Sequence, residues 1–295
     1  MKLLNIRKSL LHLTLTGLAL LTGVSSTLAQ SDKSLLYKIE GEDIKTSYLY
    51  GTIHVLPQKD FELKDKVKTA FNNAELVVLE LDMDDPGMQI EMVSNAMMEG
   101  DESLNKLLGA EYYAKLDSVL KETMGIGVAP FNKWKPFMVS SMLLMKYVGE
   151  QPASFEGTFV QMAKSADKEI LGLESVSEQL EIFDNIPYQD QADDIVDMLD
   201  NPDGMQDLYA EMVKVYKDED IAEMYNMMDA YYEGDAEAMN LMLHTRNKNW
   251  IPKIAQFAKD KSTFFGVGAG HLGGDEGVIS LLKEAGYTIT PIVEE

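Results

Sequence analysis

The stretch Glu75-Leu76-Val77-Val78-Leu79-Glu80-Leu81 holds five apolar residues in seven positions, with one carboxylate set inside the run near its end. So short and continuous an apolar run predicts a strand buried on both faces, as found inside a covered, partly parallel sheet. Just upstream, residues 60–72 place Phe61, Val67, Ala70 and Phe71 at helical spacing. Before that, residues 35–40 and 47–55 alternate as strands do, with Gly41-Glu42-Asp43 as a hairpin turn between them. Strand, helix, strand in that order starts a layered α/β core.

Downstream the periodicity turns helical. Residues 86–147 read as helix broken at Gly100, Gly109 and 125–130, and residues 156–167 and 175–183 read as helices around a short buried strand at 168–172 (KEILG). Residues 187–260 are almost all helix, interrupted at Asn201-Pro202, Asp218 and Gly234-Asp235. The chain then returns to a strand at 262–267 (STFFGV), a helix at 274–285 and a last strand at 287–293. The strands cluster at the two ends and no Pro/Ser/Gly-rich linker separates them. The expectation is therefore an α/β (α+β-like) fold, one domain over residues 30–295. A central mixed sheet is flanked by helices and carries a large helical insertion. The methionines at helical spacing, among them Met88, Met92, Met224 and Met239, read as adaptable core filler rather than a copper-handling cluster.

Composition narrows the chemistry. With 26 Lys and Arg against 49 Asp and Glu the net charge is −23, which repels phosphate backbones and anionic headgroups, so no nucleic-acid partner is expected. The chain has no cysteine, which excludes disulfides, thiolate nucleophiles and Cys-ligated metal centres. Carboxylates, hydroxyls, histidines and a bound metal remain.

The first residues read as an address. Lys2, Arg7 and Lys8 precede an apolar run over residues 10–21, Thr27-Leu28-Ala29 forms a small-x-small site before Gln30, and no acidic residue occurs before Asp32. Residues 1–29 are expected to be a cleaved secretory signal. Their removal takes away three positive charges, leaving 23 − 49 = −26. The run is too short to span a bilayer comfortably, so no stable membrane insertion is expected. A periplasmic or secreted location follows, and the lack of Cys rules out a lipoprotein anchor.

Two histidines share a context. His54 closes Gly51-Thr52-Ile53-His54 at the end of one strand, and His271 closes Gly268-Ala269-Gly270-His271 after another. With glycine at about 7% of residues, that coincidence for two of the three histidines beyond residue 30 is about a one-in-a-hundred event. Glycine is expected to let the chain leave each strand in a tight turn, presenting the imidazole over the sheet edge where open α/β sheets place ligands. Glu80, inside the apolar strand, and Glu174, after Ile170-Leu171-Gly172-Leu173, occupy matching strand-end positions. An ionised group there is costly unless a cation or donor meets it. Two neutral imidazoles with one or two carboxylates suit a divalent ion such as zinc, manganese or cobalt, which lowers the pKa of its water. Either Glu could be ligand or base.

Arg246, in Thr245-Arg246-Asn247, offers a planar guanidinium that could pair with Glu80 or clamp an oxyanion. His244 lacks the glycine signature and reads as structural. The run Gly268-Ala269-Gly270-His271-Leu272-Gly273 also matches GxGxxG, but too little chain follows it to complete a dinucleotide-binding unit. No GxSxG elbow supports serine hydrolysis.

Together these segments resemble the TraB/GumN family, which includes the Tiki metalloproteases. The carriers are residues 49–57 (LYGTIHVLP), Val78-Leu79-Glu80-Leu81, Gly172-Leu173-Glu174, Arg246-Asn247 with Trp250, and residues 267–274 (VGAGHLGG). The resemblance covers the chain after the first thirty residues and extends to a superfamily containing erythromycin esterases and haem-binding ChaN lipoproteins. It implies a metal-dependent hydrolase, a peptidase on a peptide or protein substrate, with a sheet built from two pseudo-symmetric halves. The chain departs from the family in two places. Thr245-Arg246-Asn247 stands where members carry Glu-Arg-Asn, and Ser154-Phe155-Glu156 stands where they carry Gly-Ile-Asp. The expected roles are His54, His271 and Glu80 as metal ligands, with Glu80, Arg246 and Glu174 as catalytic groups. The alternative is a non-catalytic protein that uses the same histidines to hold haem or a peptide, its acidic surface recruiting a basic one.

Overall fold

The computed structural model describes residues 33–294 except 150 and 233, so the signal-peptide assignment at residues 1–29 lies outside the described residues. The strands are β1 (Leu36–Glu40), β2 (Ser47–Thr52), β3 (Leu56–Pro57), β4 (Leu76–Leu79), β5 (Pro152–Ala153), β6 (Glu169–Gly172), β7 (Thr263–Gly268) and β8 (Thr288–Pro291). Six of them form one mixed sheet in the order β6-β4-β7-β2-β1-β8, while β3 and β5 make a two-stranded ribbon. From β6 to β2 every neighbouring pair is parallel, and the β1–β2 hairpin and β8 close the far edge antiparallel. The sheet is mixed and flanked by helices, as the order of elements required.

Alternation within β4 explains why its run is continuously apolar. Val77 and Leu79 point into a core containing Tyr50, Phe71, Phe155, Phe159 and Phe264. Leu76 and Val78 point into a second core containing Trp250, Ile254, Phe265, Val267 and Leu282. All four β4 residues are at most 2% exposed, so both faces are covered. The two halves of the chain interleave. β2 and β4 come from the first part, β6 and β7 from the second, and each pair has one strand of the other pair between its members.

The helices are α1 (Asp65–Asn73), α2 (Met88–Asn95), α3 (Leu104–Met124), α4 (Pro136–Val148), α5 (Phe155–Ser165), α6 (Val176–Asp184), α7 (Tyr188–Asp200), α8 (Pro202–Lys217), α9 (Ile221–Tyr231), α10 (Ala236–Met239), α11 (Thr245–Asp260) and α12 (Val278–Glu284). The expected break at Gly109 is present as a kink inside α3, where that residue leaves helical geometry with φ 67° and ψ 173°. One expectation is corrected. The strand expected over 47–55 stops at Thr52, because the next residues swing out to present His54 before Leu56 pairs with Ala153. No helix among the described residues is long and apolar enough to cross a membrane.

One buried ion cluster ties the helical region to the sheet. Glu219, 6% exposed in the α8–α9 turn, accepts hydrogen bonds from Leu35 N (3.1 Å), Lys64 Nζ (2.8 Å) and Lys66 Nζ. Burial opposes its charge, but the bonds from Lys64 and Lys66 hold its pKa below the usual 4.5. A depressed folded-state pKa adds stability that is present above about pH 4.5 and lost as pH falls through the folded value. Glu219→Gln should therefore lower the unfolding free energy at pH 7 by about 3 kcal/mol or more, leaving the Lys66 ammonium buried without its counter-charge. It should also flatten the fall in stability below pH 4.5. Urea titrations of both proteins across pH 3–7 measure the two effects, and parallel curves would refute the assignment.

Candidate functional site

Because β6, β4, β7 and β2 are parallel and adjacent, the residues that follow them meet at one sheet edge. Across the edge they run Glu174, Glu80, His271, His54, each one to three residues beyond the strand that carries it. The fifth member, Arg246, comes from α11. A π-helical turn over Asn240–His244 joins α10 to α11 directly before it, shifting the helical phase where the guanidinium must face the sheet.

Arg246 holds the centre. Its Nη2 donates to Glu80 Oε2 (2.6 Å) and Glu174 Oε1 (2.5 Å), its Nε reaches both oxygens of Glu174 (3.2 Å each), and its Nη1 lies 3.1 Å from His271 Nε2. The guanidinium also stacks 4.9 Å from the Trp250 ring. Trp250 Nε1 donates to Glu174 Oε2 (3.2 Å), and Gln179 Nε2 on α6 bridges Glu174 Oε1 (3.0 Å) and Glu80 Oε2 (3.2 Å). Both carboxylate side chains are under 10% exposed. Burial opposes the charge of Glu80, but His271, Arg246, His54 and the Gly268 N–H at 2.7 Å outweigh it and hold its pKa at about 2. Glu174 is shifted the other way, burial outweighing its bonds to Arg246 and Trp250.

The two histidines are fixed by unlike partners. Asn247 Nδ2 donates to the carbonyls of Glu276 (2.9 Å) and His271 (3.4 Å), which orients the amide so that its Oδ1 accepts. His271 Nδ1, 2.6 Å from that oxygen, therefore carries the proton and Nε2 the lone pair. Burial, with Arg246 alongside, keeps this ring neutral, its pKa lowered to about 3. His54 Nδ1 lies 3.0 Å from Glu156 Oε1, itself bonded by Thr52 Oγ1 (2.6 Å), while Ser154 Oγ donates to Glu156 Oε2 (2.9 Å). Lost hydration opposes the charge of His54, and the Glu156 bond with the charges of Glu80 and Glu156 outweighs it, raising its pKa. The His54 side chain is 70% exposed against 6% for His271, so one ring stands at the mouth and the other at the floor.

The two motif glycines work by space, not by backbone freedom. The expected need for unusual turns is not met, since neither residue has positive φ. A Cβ on Gly51 would sit 2.7 Å from Leu272 Cδ1 and 3.2 Å from Ala269 Cα, so its absence lets the loop carrying His271 pack onto β2. A Cβ on Gly268 would lie 3.3 Å from Glu80 Oε1, 3.5 Å from His271 Cδ2 and 3.8 Å from His54 Nε2. All three side chains thus border the one small space above Gly268. Among the described residues no three His, Asp or Glu side chains are already drawn to metal-ligating distances, because Arg246 stands between Glu80 and His271. His271 Nε2 is 4.0 Å from Glu80 Oε1. Donor types and ring orientations fit a divalent cation, which would take the place that Arg246 Nη1 holds on His271 Nε2.

Sequence reasoning singled out all five residues gathered here. It passed over Gln179 and Thr52, and noted Glu156 only as a departure. The one available signal was Ser154 as an N-cap followed by an acidic residue in the first turn of α5. His244 stacks on Tyr225 and faces Glu276 at 3.5 Å, outside the cluster. The GxGxxG match is closed to phosphate at its first glycine, whose N–H serves Glu80.

Arg246→Leu should leave two buried carboxylates facing each other and lower the unfolding free energy by about 3–5 kcal/mol. Adding Glu174→Gln to that variant should recover part of the loss. Chemical denaturation with a chelator present checks both, and full stability in the single variant would show the cluster to be dispensable.

Comparison with known proteins bears on this arrangement. Metalloprotease TIKI1 of Xenopus tropicalis is 23% identical over 302 residues, covering 82% of this chain and 59% of the relative. Metalloprotease TIKI1 of Homo sapiens is 22% identical over 298 residues, with the same shares. The chain thus spans about three fifths of the length of the curated relatives it matches. No solved structure matches it significantly. A profile of the TraB/PrgY/gumN family matches residues 35–291, nearly all of the described structure, and the chain belongs to that family.

Proposed function

We propose that the chain is a metal-dependent hydrolase of peptide bonds, with His54, His271 and Glu80 holding a divalent cation such as Mn²⁺, Co²⁺ or Zn²⁺. One observation carries the reading. Two imidazoles, each anchored at Nδ1, and one ionised carboxylate border the same space above Gly268. Nδ1 anchoring of this kind fixes the tautomer and aims Nε2 at a metal. The similarity to metalloproteases supports divalent-metal dependence and a peptide or protein substrate.

A cation held there would polarise a carbonyl and acidify water. The protein's own groups divide the remaining work. His271, kept neutral by burial, holds at the floor of the site an Nε2 lone pair that accepts from Arg246 Nη1 and that a cation would take over. Glu80, held at about 2, stays ionised at any working pH, which suits a ligand better than a base. Glu174 has its oxygens engaged by Arg246, Gln179 and Trp250, so it positions Arg246 instead of moving protons. Arg246 has its Nε and Nη2 committed to Glu174 and Glu80, so Nη1, which now meets His271, is the donor that would turn to an oxyanion once a cation takes that nitrogen. The haem-holding alternative is not favoured. Glu80 and Arg246 wall the space with charge, which suits an ion and not the apolar face of a macrocycle. Export to the periplasm or the medium belongs to this proposal and rests on the pattern of residues 1–29.

Peptide hydrolysis should vanish with chelator and return with Mn²⁺, Co²⁺ or Zn²⁺. The variant with both His54→Ala and His271→Ala should lose metal and activity together, and full metal content in it would overturn the ligand assignment. Glu156→Gln and Asn247→Leu, which free the rings without touching Nε2, should each weaken metal binding by about 10–100-fold in calorimetric titration. Arg246→Lys should keep the metal yet lose turnover by about a hundred-fold or more, since a point charge does not reproduce the fork. Near-normal turnover would place Arg246 outside the chemistry.

A further inference from the structure

Glu80 is followed by a segment that the site does not use. Residues 82–102 contain seven Asp and Glu and no Lys, Arg or His. Within them α2 has no buried residue, which is unusual for a helix with so many apolar side chains. Its packed side is clear: Met88 and Met92, one turn apart, rest against Leu81, Val176 and Leu180, and Glu91 accepts the N–H of Ser177 at the start of α6. The opposite side is apolar and open. Ile90 is 72% exposed and Val93, three residues on, 51%, while Met97 just past the helix end is 44% and Met83 before it 36%. A soluble protein rarely leaves such a stripe to water without a use for it.

The stripe lies beside the site. α2 begins eight residues after Glu80, and it packs on α6, whose Gln179 touches both Glu80 and Glu174. Charge then decides what covers it. Asp84, Glu99 and Glu102 are exposed and their carboxylates make no ion pair among the described residues, while Asp101 is met by Lys106 and Lys133. A second copy would set one acidic segment against its twin in a chain of net charge −23, and an anionic bilayer would be repelled in the same way. A partner that is both apolar and cationic satisfies stripe and rim together.

We propose that the exposed face of α2, bearing Ile90 and Val93 and extended by Met97 just past its end, is a docking surface for a cationic amphipathic peptide segment delivered to the neighbouring site. This deepens the peptidase reading by naming a substrate class. It depends on that reading for the fate of the peptide and not for its capture. Apolar anchors of the peptide, spaced one helical turn or two strand residues apart, lie on the stripe while its Lys and Arg face the acidic rim.

The test measures capture alone. Fluorescence anisotropy at physiological salt, with chelator present, compares a labelled Leu/Lys amphipathic peptide with a Ser/Lys peptide of equal charge and a Leu/Glu peptide. The Leu/Lys peptide should bind at least about ten-fold more tightly than either. A variant with Ile90→Glu and Val93→Glu should weaken it at least about ten-fold although it adds negative charge. A second variant, with both residues changed to Ser, should weaken it without any change of charge. Both positions are exposed, and circular dichroism verifies that the fold is kept. Equal binding of the Ser/Lys peptide, or unaltered affinity in both variants, would overturn the proposal and leave only diffuse attraction to an acidic surface. Tight, stripe-dependent binding without hydrolysis under any divalent metal would instead leave the docking surface standing and remove the peptidase reading.

Discussion

Two carboxylates buried side by side on adjacent parallel strands cannot both stay ionised unless a fixed cation lies between them, and Arg246 is that cation. Much of the structure around the sheet edge serves this demand. The π-helical turn sets the phase of α11 so that Arg246, Asn247 and Trp250 all reach the edge. Trp250, wholly buried, supports the guanidinium with its face and Glu174 with its N–H. Gln179 ties the two carboxylates from the other side, which brings α6, and through it α2, into register with the site. A planar fork can meet Glu80, Glu174 and His271 at once where an ammonium could not.

The interleaved strands give the site its near-symmetry and their partners break it. Each half supplies one histidine and one glutamate, in the chain order His54, Glu80, then Glu174, His271. One imidazole leans on a carboxylate and the other on an amide. The first is exposed and inclined to carry charge, the second buried and neutral. Two copies of one motif therefore become a mouth and a floor. Glu156 rises from the start of α5, 102 residues after His54, and Asn247 from α11, 24 residues before His271. The distinction is made by packing and not by the Gly-x-x-His sequence itself.

Outside this edge the chain is organised to hold helices against a twisted sheet while staying strongly acidic. The Lys64–Glu219–Lys66 cluster uses some of the few basic residues to pin the α8–α9 turn onto the start of β1. α9 in turn covers the His271 loop, where Tyr225 lies within contact of Gly273 and Gly274. The segment after Glu80 shows the opposite economy, with no basic residue at all and an apolar face left open. Both features follow from where the chain spends its 26 Lys and Arg.

Periodicity in the sequence determined the elements, because strands of alternate burial and helices of apolar spacing write their geometry directly into residue order. The continuous apolar run ending in Glu80 was enough to place a covered parallel strand. The Gly-x-x-His pairs and strand-end glutamates were enough to nominate His54, His271, Glu80, Glu174 and Arg246. What the sequence could not carry is proximity between residues far apart in the chain. Strand order alone decides that Glu80 lies between Glu174 on one side and His271 on the other. The guanidinium's choice of two carboxylates over one, the role of Glu156 toward His54 and the neutrality of His271 all depend on contacts spanning 24 to 166 residues. The motif glycines make the same point. Residue type marked both positions, but only the packed structure shows that they are there for the space a missing Cβ leaves.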